Sequence, residues 1–307
     1  MKGVAEAPGK VIISGEHFVV HGATAIAAAI ERRVRVEASR NDRLTVGSRL
    51  SDPAALKPAR KVVESLYKAR NAEPRVSITI SSDLAEGSGL GSSAATMVAV
   101  AGAIGALEGW GLGSADLARA GDAGERIIHG NPSGIDAMAS ATGGVILFTR
   151  GRKPRRVELK APVTLLVAFS GKKRNTGRLI SRVAGMKESY PSLFASLCEG
   201  ATLVSSLCAE ALVKGDQPSL GTLMTFNHAV LARVGASNER LDQLVDLCLR
   251  SGCLGAKLTG AGGGGSVLAV PPADPKRRKA LVKALKSEGH ESFFTQIPAA
   301  GARAWRE

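Results

Sequence analysis

The sequence predicts a mixed α and β protein in two domains, residues 1–158 and 159–307. Three observations carry this prediction. Period-two segments at Val34–Ala38 and Val76–Ile80 bracket a helical stretch in the first third. A glycine-rich loop, EGSGLGSSAA at 86–95, then joins the second of those strands to an apolar helix. Finally, a basic run at 150–156 precedes the apolar strand Val163–Phe169, which opens a second half.

Taken in order, the opening segment APGKVIISGEH (7–17) places Lys10 beside a strand and Glu16–His17 just past a Gly15 turn. A helix is expected over 53–70. After the glycine loop come one helix from about Ser93 to Leu107 and a second over 114–129, stopped by Gly130-Asn-Pro132. The second half reads as helices near 190–214, 220–233 and 239–250, a strand and glycine run over 256–270, a basic helix over 275–288 and a closing strand. No internal repeat or low-complexity tail interrupts this order.

A chain of 307 residues with 44% hydrophobic content can bury a sizeable core. The 41 Lys and Arg against 27 Asp and Glu give a formal charge of +14, which favours anionic partners without choosing among nucleotides, acidic metabolites and nucleic acid. Only 4% of residues are aromatic, and none interleave the basic runs, so stacking platforms for single strands are scarce and no nucleic-acid partner is expected. Cys198, Cys208, Cys248 and Cys253 form no C-x-x-C pair, and the first ten residues lack a secretory apolar segment; reduced thiols and a cytoplasmic location are expected. Residues 87–107 carry no charge, but Gly, Ser and Ala dominate them, so a buried helix is expected rather than a membrane span.

The glycine loop carries the first chemical signal. Amide groups delivered onto a helix N-terminus lack intrahelical partners and face the positive end of the helix dipole, so they bind phosphate. Gly87, Gly89 and Gly91 permit close backbone approach, while Ser92 and Ser93 can cap the helix and offer a hydroxyl to phosphate-bound Mg²⁺. A flexible turn with a serine cap is the plain alternative. The loop matches neither the P-loop nor the G-x-G-x-x-G spacing; Gly260, Gly262 and Gly265 do match the latter by letter, but without the acid a dinucleotide fold requires.

In ERIIHGNPSGID (125–136), Glu125 and His129 share a helix face, and Asp136 follows a turn that can aim it back at that face. A carboxylate for a metal, an imidazole for substrate and a carboxylate for the nucleophile suit phosphoryl transfer, although each residue alone is also a common solvated or turn-forming group. Lys10 could neutralise developing phosphate charge, or simply snorkel at a strand edge.

Together these segments resemble the GHMP family of small-molecule kinases. The resemblance rests on Pro8-Gly-Lys-Val11, the Gly87–Ala95 loop and KLTGAGGGG at 257–265, three ordered motifs across nearly the whole chain. GEHFVVHG (15–22), ERIIHGNPSGID and Arg174-Asn-Thr176 resemble the branch that acts on mevalonate. The resemblance implies an α+β GHMP kinase fold, with an N-terminal domain like domain 2 of ribosomal protein S5 and a ferredoxin-like C-terminal domain. It implies ATP-dependent phosphorylation of the C5 hydroxyl of (R)-mevalonate in isoprenoid biosynthesis. Carried over residue by residue, Asp136 and Lys10 are catalytic; Gly87, Ser88, Gly89, Leu90, Gly91, Ser92 and Ser93 bind ATP; Ser93 and Glu125 hold Mg²⁺. Glu16, His17, His129 and Thr176 form the substrate side, and Gly260, Gly262 and Gly263 a structural motif supporting the phosphate loop. A homodimer is plausible by family habit. The alternatives are a sister kinase for phosphomevalonate or another small hydroxy acid and, more remotely, a basic nucleic-acid-binding protein. The basic runs at 150–156 and 276–279 receive no functional account.

Overall fold

The structure, a computed structural model, describes residues 1–48, 56–171, 183 and 185–307. The first strand, β1 (Lys2–Ser14), is apolar and buried along most of its length, and it runs straight through Pro8-Gly9. Its register with β2 (Ala25–Arg40) shifts between Pro8 and Lys10, so an irregularity absorbs the donor that proline lacks. This is why the proline hid a 13-residue strand from sequence reading.

Among the described residues the first sheet has seven strands. Beyond β1 and β2 it holds β4 (Val76–Ser82) with β3 (Thr45–Ser48) on its far side, and β5 (Val145–Phe148) with the two-residue β6 (Arg155–Arg156) on its far side. β2 pairs with β1 on one side; on the other its first half pairs with β5 and its second half with β4. The helix expected over 53–70 is α1 (Lys57–Lys68); residues 53–55 lie outside the described residues. The uncharged segment becomes the glycine loop and α2 (Ser92–Glu108), whose apolar residues point in every direction and are buried between the sheet and its neighbours α1 and α3 (Ser114–His129). The run at 150–156 is more than a connector, because Arg155 and Arg156 extend the sheet as β6.

The second domain begins at β7 (Val163–Phe169) and contains α5 (Pro191–Lys214), α6 (Gln217–Arg233), α7 (Glu239–Arg250), β8 (Gly255–Thr259), β9 (Ser266–Val270), α8 (Pro275–Ser287) and β10 (Ser292–Ile297). Its sheet order, β10-β7-β9-β8 with every pair antiparallel, is that of a ferredoxin-like βαββαβ unit enlarged by helices between its first two strands. Helix α5 is long and apolar enough by count to cross a membrane, yet Phe194, Val204, Cys208 and Leu212 are buried within the protein.

The closing strand departs from the expected division. β11 (Arg303–Arg306) pairs antiparallel with β1, from Gly3↔Arg306 to Glu6↔Arg303, so the end of the chain belongs to the first sheet rather than to the 159–307 unit. All four cysteines are free thiols.

Candidate active site

The site begins where β4 hands over to α2. Gly87, Gly89 and Gly91 have φ of 70°, 93° and 72°, left-handed values that glycine adopts without a Cβ penalty. Leu90 is fully buried, so its side chain anchors the loop, while its carbonyl accepts the Lys10 backbone N–H at 2.8 Å. At Gly91 a Cβ would come within 3.0 Å of the Lys10 side chain, which passes beneath the loop. Glycine at 91 therefore leaves room for the lysine below the loop.

Lys10 is almost wholly buried. Its Nζ donates to the Gly89 carbonyl at 3.0 Å and lies 3.1 Å from Asp136 Oδ1, whose side chain is 31% exposed. Asp136 sits in the first turn of a short helix that sequence reading missed, α4 (Ile135–Thr142), entered through Gly134 at φ 87°. A buried ammonium is thus held between the glycine loop and a solvent-reaching carboxylate. The two helix N-termini, of α2 and α4, add positive potential at the same place.

Two glycines on α3 explain the next pair. A Cβ at Gly121 would meet Ala137 and Val98 at 2.8 Å, and one at Gly124 would lie 2.4 Å from Met97 Cγ. Their absence lets α3 press against α2 and α4, which brings Glu125 beside Ser93. Burial, reinforced by the nearby Asp136 charge, pushes the Glu125 carboxyl up to about 7, partly offset by the Ser93 hydroxyl and Lys10. A carboxyl raised towards neutrality beside a hydroxyl and the glycine loop is a place where a cation would favour the ionised form. Among the described residues no group of three or more His, Cys, Asp or Glu is placed to hold a metal ion.

The expected substrate side is only partly assembled. His17, at φ 61°, donates from Nε2 to the Ala261 carbonyl at 2.9 Å and so joins the opening motif to the last glycine motif. Glu16 departs from expectation. Only 1% exposed, it pairs with the buried Lys257 and accepts from Asn227 Nδ2 at 3.1 Å, so it faces the junction of the domains instead of a ligand. His129 ends α3, but its side chain lies outside the described residues, as does Thr176.

The glycines of the last motif support the loop less directly than expected. Gly260, Gly262 and Gly263 are left-handed, and a Cβ on Gly262 would fall 1.9 Å from the Ala236 carbonyl, so this turn packs against the α6–α7 connection. The direct support is Ser266, whose buried hydroxyl donates to the Ser88 carbonyl at 2.7 Å. Sequence reading gave no role to Ser266 or Asn227, and it quoted Lys257 and Thr259 only as part of the last glycine motif, although a lysine between apolar neighbours in a strand is itself a visible signal.

Comparison with known proteins follows the same division of the chain. Residues 57–144 match the GHMP kinases N terminal domain, and 208–291 match GHMP kinases C terminal. A mevalonate kinase from Aeropyrum pernix is 35% identical, covering 97% of this chain and 97% of that protein, and one from Pyrococcus horikoshii is 32% identical over 98% and 97%. The crystal structure of L. major mevalonate kinase in complex with R-mevalonate superposes with a TM-score of 0.83 at 31% identity, covering 96% of each chain.

Proposed function

The chain belongs to the GHMP kinase family, among its mevalonate kinases, and on that premise we propose that it transfers the γ-phosphoryl group of ATP to the C5 hydroxyl of (R)-mevalonate. The observation that carries the reading is the Lys10–Asp136 pair set directly against the phosphate loop. Phosphoryl transfer asks the protein mostly for positioning and for charge opposite the moving group, and this pair supplies both.

In this reading Asp136, reaching solvent, orients the attacking hydroxyl and takes its proton. The Lys10 ammonium balances charge as it develops on the transferred group. The amides of Gly87–Ser92 would cradle the phosphates, and Ser93 and Glu125 would hold the Mg²⁺ that accompanies ATP. Bound there, the ion would neutralise phosphate charge. His17 and His129, with Thr176, are proposed to meet mevalonate's carboxylate and hydroxyl. Cytoplasmic location and homodimeric assembly are proposed with this function.

Asp136→Asn tests the assignment, because it keeps the side chain's size and removes its basicity. Turnover should fall by about two to four orders of magnitude while an ATP analogue binds as before. Near-normal turnover in this variant would remove Asp136 from the mechanism.

A further inference from the structure

We infer that Glu16, Lys257 and Asn227 form an inter-domain latch that sets the position of Lys10 and His17 for phosphoryl transfer. The inference rests on the kinase reading above, and it makes these three positioning residues that do not touch substrate.

The latch joins three separate parts of the chain. Glu16 follows the Gly15 turn at the end of β1, Asn227 lies on α6 and Lys257 on β8. Glu16 and Lys257 are 1% and 0% exposed. The Lys257 ammonium donates to Glu16 Oε1, to the Leu258 carbonyl and, at 3.3 Å, to the Ile12 carbonyl. Asn227 occupies the other Glu16 oxygen. With each oxygen engaged by a protein donor and 1% exposure, Glu16 faces its partners in the protein rather than open space.

Two positions along β8, Thr259 adds a second tie to the same strand. Its hydroxyl accepts the Ile12 N–H at 2.9 Å and donates to the Ile12 carbonyl at 3.1 Å. Ile12 is two residues from Lys10, and Glu16 is adjacent to His17. The second domain therefore holds the segment 10–17 near both ends, while the phosphate loop holds Lys10 itself through Leu90 and Gly89. Because the loop is also tied to β9 through Ser266, one rigid strand pair fixes both the lysine and the loop it serves.

The choice of ions here points to geometry over stability. A buried ion pair loses hydration on both sides, and apolar replacements of similar volume are often at least as stable. What the pair supplies is direction, since a three-donor ammonium must meet its acceptors at fixed angles. Burial lowers the Lys257 pKa, while the Glu16 carboxylate opposes that shift.

The test uses the full-length enzyme carrying Glu16→Gln and Lys257→Met together. Each change alone strands a buried charge, whereas the pair leaves none, and the amide can still accept from Asn227. The melting temperature should stay near that of the parent, and affinity for an ATP analogue within about threefold. kcat should nevertheless fall by about tenfold or more, because small misplacement of reacting groups is costly. Amide exchange read by mass spectrometry should rise in peptides covering 8–18 and stay unchanged in α2. A kcat within about twofold of the parent, or unchanged exchange over 8–18, overturns the latch. Should the double variant fail to fold, Thr259→Val removes only the ties to Ile12 and is read by the same two criteria. kcat is measured on mevalonate and, if the parent prefers another hydroxy acid, on that one, so a wrong substrate assignment leaves the latch test intact.

Discussion

Glu125→Gln should make the free protein more stable and the enzyme nearly inactive. The carboxyl is raised from its ordinary 4.5 to about 7, chiefly by burial and then by Asp136. A group whose folded pKa lies above its unfolded one stabilises fully below the unfolded value and loses that contribution as pH rises through the folded one. Between 4.5 and about 7 the loss amounts to roughly 3 kcal/mol, nearly all of it present at pH 8. The neutral amide never ionises, so it avoids this cost. At pH 8, without Mg²⁺ or nucleotide, Glu125→Gln should therefore melt about 5 °C or more above the parent. At pH 5 the advantage should shrink to under about 1 kcal/mol. Thermal melts of both proteins across pH 5–8, beside turnover at saturating Mg·ATP, provide the assay. A stability gap that does not change with pH would refute the raised carboxyl and the cation site argued from it.

Other outcomes follow from the same contacts. In the parent enzyme, apparent Mg·ATP affinity should climb as pH rises through about 7, because a cation held by Glu125 as proposed would need its ionised form; titration calorimetry in buffers of different protonation enthalpy should show about half a proton released on binding near neutrality. Gly124→Ala places a Cβ against Met97 and should cost about 1–3 kcal/mol while raising the KM for ATP, with partial recovery in Gly124→Ala/Met97→Ala. Ser266→Ala leaves the Ser88 carbonyl without its donor and should cost about 1–3 kcal/mol, raising the KM for ATP but not for the hydroxy-acid substrate.

Much of this molecule was legible in its sequence where one local rule decided the outcome. The loop at 86–95 declared itself because three closely spaced glycines have few uses besides a left-handed turn, and the structure gives all three that backbone. Asp136 and Lys10 were singled out separately, and their 3.1 Å pairing, which depends on a strand continuing through proline and on a helix as short as α4, left no trace in the sequence. Tertiary registry was hidden. Nothing local distinguishes a glutamate that meets substrate from one that meets a lysine 241 residues away, and Glu16 is the second kind. The return of β11 to β1 was invisible for the same reason, since pairing across the whole chain leaves no periodic trace.

The most direct test of the account is ADP release by the purified protein with Mg·ATP and (R)-mevalonate, run beside phosphomevalonate, homoserine and galactose, with the product identified by mass and fragmentation. The account predicts turnover on mevalonate alone, yielding the 5-phosphate. Silence on mevalonate with turnover of another compound would contradict it, leaving the glycine loop and the Lys10–Asp136 pair in place but giving the site beside His17 to a different hydroxyl.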